Sequence, residues 1–300
     1  MLSIPEIATR LVDETLTKVS EDNSCTICFV GSSSVGKSTL LNSFLDKNDT
    51  PRETLVMEYS FGRKTNQKQG MEKTICHVWE YGGKLDILKN ILPSIPVNGK
   101  YYYCVMVDLA KIKSLWNTLE SCIQAMVNTY AEQKSVLVEL IIFGGKYDLF
   151  KNYDAEIKKL ICTTLRSVAL LFNASIVFYS SKERSLVRRA KELLHGIGFG
   201  NGVPNKERMF NFSKPLIIPK GTDSWDNIGV TASTLEQVKA RHLSRIPLDT
   251  ELSSVGERTI GAHHAHPEPS LDSKVAMKYE ELRNLDSLDI SLGDYLIDLH

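Results

Sequence analysis

The residues able to do chemistry begin at Gly31. The run Gly31-Ser32-Ser33-Ser34-Val35-Gly36-Lys37-Ser38-Thr39 places two glycines around four residues, then Lys-Ser. That is the spacing of a loop whose successive backbone N–H groups wrap a phosphate. Gly31 and Gly36 admit backbone angles and a closeness of approach that a side chain would block. Lys37 then offers a point charge to the outer phosphates and Ser38 a hydroxyl to Mg²⁺. An unliganded Gly/Ser-rich turn between a strand and a helix is the plain alternative for the same residues.

Base selectivity and hydrolysis would come from further along the chain. Gly144-Gly145-Lys146-Tyr147-Asp148 matches an Asn-Lys-x-Asp element at Lys146 and Asp148, with Gly145 standing where the Asn belongs. In that element the Asp accepts two hydrogen bonds from guanine, so guanine recognition is expected in a weakened form. Tyr179-Ser180-Ser181-Lys182 occupies the place of a Ser-Ala-Lys element that meets the base from the other side, which adds Ser181 and Lys182 to the nucleotide-binding candidates. Where a GTPase carries Asp-x-x-Gly-Gln, this chain reads Glu80-Tyr81-Gly82-Gly83-Lys84. Glu80 is the candidate to serve the metal beside Ser38, and Gly83 the candidate to approach a γ-phosphate. Lys84 cannot orient water by an amide, so turnover is expected below even the order of 10⁻⁴ s⁻¹ of unassisted Ras. No catalytic residue is assigned. A nucleotide here, GDP or GTP or else ADP with Mg²⁺, is expected to be a structural ligand, and an empty site is the alternative.

Other clusters read more plainly. Cys25 and Cys28 are three apart within a strand-like run, so they face opposite sides and share neither a metal nor a disulfide. The six cysteines read as buried, reduced thiols of a cytosolic chain. His263-His264-Ala265-His266 has no Cys or carboxylate at ligand spacing and reads as solvated tail. Arg184, Arg188, Arg189 and Lys191 read as a solvated helix face, with a patch for an acidic partner as the other reading. Trp79, Trp116 and Trp225 read as core or rim aromatics.

These residues need elements to position them. Strand-like apolar runs at Cys25 to Val30, Leu55 to Phe61, Thr74 to Trp79, Tyr101 to Val107, Val136 to Phe143 and Ala174 to Tyr179 alternate with helical patterns. The helical patterns are Ser38 to Phe44, Leu115 to Tyr130, Ala155 to Phe172 and Ser185 to His195. Strands separated by such helices imply crossovers, and so an α/β domain with a doubly wound, mostly parallel sheet. An amphipathic helix over Ile4 to Val19 is expected outside the sheet, and a short apolar run, Lys214 to Pro219, follows the Gly-rich stretch after Gly196.

Composition supports one large domain with a tail. The chain has 300 residues, 42% of them hydrophobic, with 36 Lys plus Arg against 36 Asp plus Glu. Zero net charge argues against a nucleic-acid or anionic-membrane partner. The longest uncharged apolar run, Tyr101 to Val107, is far short of the roughly 20 residues of a membrane-spanning helix. The opening Met1 to Glu6 has no basic stretch leading into an apolar one, which argues against secretion. Residues 241–300 hold six Lys and Arg against eleven Asp and Glu, a net of −5 that leaves +5 for residues 1–240. The expected division is therefore a P-loop domain over 1–240 and an acidic, partly helical or disordered tail over 241–300, with a short helix from Ser273 to Leu285.

Taken together, the loop Gly31 to Ser38, the run Met57-Glu58-Tyr59-Ser60-Phe61-Gly62-Arg63, the degenerate Trp79 to Gly83, Gly145 to Asp148, and Lys214-Pro215-Leu216 with Gly221-Thr222-Asp223-Ser224-Trp225 resemble the dynein light intermediate chains, those of cytoplasmic dynein 2 in particular. The resemblance spans about residues 5–240. It implies a Ras-like domain that is a non-catalytic subunit of a motor, bound to the tail of the dynein 2 heavy chain and to other dynein 2 subunits. It also implies a place in cytoplasm and cilium, on microtubules, in retrograde intraflagellar transport and cilium assembly. Two other classes share the P-loop. A regulatory GTPase is opposed by Lys84 and Gly145, and a nucleoside kinase would need a lid and a substrate-binding Arg set that the sequence does not present.

Overall fold

The computed structural model describes residues 24–66, 72–130, 137–200, 207–247 and 273–280. Contacts divide the chain into two units, Met1–Asp249 and Thr250–His300. The expected N-terminal helix and the His263 to His266 cluster lie outside the described residues. In the second unit, residues 273–280 form a helix with every residue exposed.

The first unit is built on a seven-stranded sheet. Its strands are β1 (Ser24–Gly31), β2 (Met57–Asn66), β3 (Glu72–Tyr81), β4 (Lys100–Asp108), β5 (Val138–Gly145), β6 (Ser175–Phe178) and β7 (Ile217–Ile218). They lie in the order β2-β3-β1-β4-β5-β6-β7. The five central strands are parallel, while β2 and β7 run antiparallel at the two edges. Parallel strands covered on both faces must be apolar on both, and so β1, β4 and β5 read as continuous apolar runs rather than alternating ones.

The described residues of the first unit also hold eight α-helices, most of which cover the sheet. They are α1 (Lys37–Phe44), α2 (Leu85–Ile91), α3 (Ile112–Tyr130), α4 (Tyr147–Phe150), α5 (Ala155–Leu171), α6 (Arg184–Phe199), α7 (Trp225–Ile228) and α8 (Leu235–Leu243). On one face, Leu40, Leu41 and Phe44 of α1 and Leu194 and Ile197 of α6 pack with Ile27, Phe29 and Cys104 of the sheet. On the other, Leu88 of α2, Leu119 of α3, Leu165 of α5 and Val238 of α8 pack with Val30, Tyr103 and Val105. Cys25 falls in the first layer and Cys28 in the second, as the strand period requires. Cys25 Sγ instead lies 3.4 Å from Cys76 Sγ on the neighbouring strand, and all six thiols are free and buried.

Several boundaries differ from the sequence reading. Leu55 and Val56 precede β2 and are 81% and 50% exposed. The Val56 carbonyl accepts from Gly82 N–H at 2.9 Å, which draws this stretch over the end of β3 before pairing with β3 begins. The periodicity missed α2 because only Leu88 of that helix is fully buried. It missed α8 because one of that helix's two buried residues is a histidine, His242, beside Val238. Helix α8 runs across the boundary drawn at residue 240 and opens with a capping box between Thr234 and Gln237.

The Gly221 to Trp225 run is structural. Asp223 receives both Arg166 Nε and Nη2 at 2.7 Å in an ion pair that is almost wholly buried, and Ser224 caps α7 by accepting from Asn227 N–H. This clamp fastens the segment after β7 to α5. The basic residues of α6 are mostly spoken for as well: Arg188 pairs with Glu192, Arg189 with Glu207 and Lys191 with Asp46.

Candidate functional site: a phosphate loop and a base-reading loop

The phosphate loop joins β1 to α1. Gly31 has φ 127°, and a Cβ there would stand 2.0 Å from the Met106 carbonyl oxygen, so only glycine lets β1 turn this close to β4. Ser32 N–H donates to that same carbonyl at 2.9 Å. Gly36, at φ 106°, heads α1 with no side-chain cap, which leaves the amides of the first turn for an anion. Lys37 is buried, its Nζ donating to the Ser32 carbonyl at 2.8 Å along the loop. Burial pulls its pKa below the ordinary lysine value, and the nearby Glu80 carboxylate opposes the shift.

The loop borders a cleft of about 260 Å³, lined by Ser33, Ser34, Gly36 to Thr39, Pro51 to Thr54, Glu80 and Gly82. Two expected metal ligands meet here: Ser38 Oγ donates to Glu80 Oε1 at 2.7 Å. With its proton committed to Glu80, the Ser38 oxygen keeps its lone pairs for a cation. A third oxygen, unforeseen in the sequence, belongs to Thr54. Its Oγ1 is buried and makes no hydrogen bond of ordinary geometry among the described residues, although it lies near enough to Glu80 to favour the carboxylate. An orphaned hydroxyl beside a carboxylate and a second hydroxyl is a set of hard oxygen donors, which suits Mg²⁺. When bound, such an ion neutralises phosphate charge. Desolvation raises the Glu80 pKa, with Glu58 adding to it, while Ser38, Lys37 and Thr54 favour the ionised form. The only sequence sign of Thr54 is a Thr in the loop leading into the first edge strand.

The hydrolytic positions are arranged differently from expectation. Gly82 lines the cleft, whereas Gly83 does not. A Cβ on Gly82 would stand 1.8 Å from the Thr54 carbonyl oxygen, so the Thr54 loop and the end of β3 are in direct contact. Gly83 is packed against Tyr81, whose hydroxyl donates to the Lys84 carbonyl at 2.5 Å. Lys84 is exposed at the start of α2 and takes no part in the cleft lining.

The residues expected to read a base lie at the ends of β5 and β6, outside that lining. Asp148, on α4, accepts from Ser180 Oγ at 2.7 Å and pairs with Lys182 Nζ at 3.2 Å. Burial works to raise its pKa, but the Ser180 hydroxyl and Lys182 outweigh that and hold the carboxyl below its usual value. Ser180 thus orients Asp148, a role the sequence reading did not give it. Ser181 is exposed on the turn. Lys146 is the larger departure. Its Nζ sits 2.7 Å from Oδ2 of Asp108, a residue no motif singled out. Gly145 has a steric reason: a Cβ there would meet Val35 Cγ2 at 2.5 Å, since the phosphate loop presses directly on the end of β5.

This sheet order and loop define a Ras-like P-loop domain. The family described as Ras of Complex, Roc, domain of DAPkinase matches residues 26–148. The cytoplasmic dynein 2 light intermediate chain 1 of Danio rerio is 32% identical over 259 residues, covering 75% of this chain and 71% of the relative. That of Homo sapiens is 30% identical over 293 residues, covering 85% and 75%. The chain belongs to the cytoplasmic dynein 2 light intermediate chain family. Among solved structures, the crystal structure of the dynein light intermediate chain's conserved domain aligns with a TM-score of 0.50 at 12% identity, covering 73% of this chain and 89% of that one, a likeness of fold. No helix among the described residues is long and apolar enough to cross a membrane.

Proposed function

We propose that this chain is a non-catalytic subunit of the cytoplasmic dynein 2 motor. In this reading it docks on the heavy-chain tail and supports retrograde intraflagellar transport and cilium assembly, in the cytoplasm and the cilium. The observation that carries the reading is identity of 30–32% to five dynein 2 light intermediate chains, each matched over about two thirds or more of its length. A phosphate cleft with an exposed Lys84 in place of a water-positioning amide supports a docking role over a timing one.

The cleft takes a nucleoside diphosphate or triphosphate with Mg²⁺ as a structural ligand, with Lys37 on the phosphates and Ser38, Glu80 and Thr54 toward the metal. Full-length chain carrying Lys37→Ala should lose GDP, GTP and ADP and still co-purify with the heavy chain. Loss of the heavy chain together with the nucleotide would overturn the division of labour between cleft and docking surface.

A slow regulatory GTPase is the second reading. It is favoured by the septum-promoting GTP-binding protein 1 of Schizosaccharomyces pombe, 26% identical over 160 residues. Single-turnover hydrolysis separates the two: a rate above the order of 10⁻⁴ s⁻¹ of unassisted Ras would favour the GTPase.

A further inference from the structure

With glycine at 145, no side chain at that position can join the phosphate loop to the loop after β5. A different tie runs through Asp108, at the end of β4. Its backbone N–H donates to Ser32 Oγ at 3.2 Å, reaching the phosphate loop at the residue whose carbonyl holds Lys37. Its side chain turns the other way, Oδ1 accepting from Ala110 N–H at 2.9 Å and Oδ2 from Lys146 Nζ at 2.7 Å. A polar path therefore runs Lys37, Ser32, Asp108, Lys146 from the phosphate side to the base side.

The two ends of the Asp108–Lys146 pair are unequal. The Asp108 side chain is 1% exposed, and a carboxylate so buried is costly unless both oxygens are satisfied, as they are here. The Lys146 side chain is 30% exposed, and its backbone is left-handed at φ 57°, a conformation that persists in a non-glycine residue only where the surroundings impose it. Asp108 is the fixed partner and Lys146 the one being held. Fixing the ammonium removes rotamer freedom from the lysine stem in advance, so a base meeting that stem does not have to order it. Since the ammonium is neutralised by Asp108, phosphate charge is left to Lys37.

We infer that the Asp108 carboxylate is a positioning group for nucleotide recognition, holding Lys146 for the nucleoside half of the nucleotide, while Asp108 reaches the phosphate side only through its backbone N–H. The inference rests on the reading of the cleft as a nucleotide site. Its signature is a split between two probes, GDP and inorganic pyrophosphate, measured by equilibrium competition on the full chain with Mg²⁺. Asp108→Asn keeps the backbone bond to Ser32. It should weaken GDP by at least about tenfold, the factor one charge-assisted contact commands, and leave pyrophosphate bound at least as tightly, since the freed ammonium can only add attraction for an anion. Ser32→Ala, which cuts the backbone tie, should weaken GDP and pyrophosphate alike. The charge-free pair Asp108→Asn with Lys146→Met leaves no unpaired ion and covers the case in which the single variant fails to fold. It should bind pyrophosphate as wild type does and GDP no worse than the single variant. Equal losses on both probes, or none on either, would overturn the role of Asp108 while leaving the nucleotide site standing. Wild-type chain that binds neither probe would overturn both.

Discussion

Ser38 and Glu80 are joined by a 2.7 Å hydrogen bond across the phosphate cleft, from α1 to the end of β3. Glu80 is one methylene longer than the Asp of the usual motif, and it reaches the hydroxyl directly. The carboxylate is buried, and its pKa is raised chiefly by desolvation. An Mg²⁺ ion held there would compete with protons at a higher pH than it would for an ordinary glutamate. Mg²⁺-dependent nucleotide affinity should fall as pH is lowered through the raised Glu80 pKa. Glu80→Gln should weaken the Mg²⁺ dependence and flatten that pH profile, as read by titrating Mg²⁺ at fixed nucleotide. The raised pKa also means that the folded state binds more protons than the unfolded one between the two pKa values, so Glu80 costs stability as pH rises through that window. A profile equally steep in Glu80→Gln would show that another group is responsible.

Restoring the expected Asn at position 145 should harm the protein. The Cβ alone would meet Val35 Cγ2 at 2.5 Å and the Val35 carbonyl oxygen at 3.2 Å, and a valine methyl has no long stem with which to move aside. Overpacking of this kind costs about 1–3 kcal/mol. Urea denaturation of Gly145→Asn should show that loss, with GDP affinity no better than wild type. A variant that is as stable and binds GDP more tightly would mean the loop has room that the packing denies.

The Arg166–Asp223 pair makes the segment after β7 part of the domain. Removing one partner of a buried pair leaves the other charge unpaired, at about 3–5 kcal/mol. Asp223→Ala should lower the urea midpoint accordingly and expose the 207–230 stretch to limited proteolysis before the sheet unfolds. The ring of Phe210, whose centroid is 5.5 Å from the Arg166 guanidinium carbon, should loosen with it. Uniform cleavage kinetics in wild type and variant would argue that the clamp is not what holds the segment.

His242 predicts a pH limit. It is fully buried against Trp116, with Nδ1 3.2 Å from the Thr164 hydroxyl and Nε2 without a partner among the described residues. Burial drops its pKa from 6.5 to about 4. Between those values the unfolded chain holds the proton and the folded one does not, so stability declines as pH falls through this window, by up to about 1.4 kcal/mol per pH unit. His242→Gln should flatten the slope between pH 6.5 and 4 in denaturant titrations. An unchanged slope would assign it to other groups.

The sequence by itself determined the phosphate loop and the sheet that carries it. Gly31, Gly36, Lys37 and Ser38 are legible because their spacing along the chain is the geometry, and the apolar runs of β1, β4 and β5 are legible because burial on both faces leaves no room for polar residues. It determined Asp148 and Lys182 as candidates by motif, and the resemblance through short runs such as Glu58 to Arg63. Tertiary structure alone decided which distant residues complete the site. Asp108 lies 38 residues from Lys146 and Ser180 lies 32 from Asp148, separations set by the pairing of β4 with β5 and β5 with β6, which no local pattern encodes. Thr54 gains its place only because Gly82 lets two loops touch. Gly145 looked like a lost ligand in one dimension. In three it is the gap into which Val35 packs, because steric exclusion between segments 110 residues apart exists only once the sheet has brought them together.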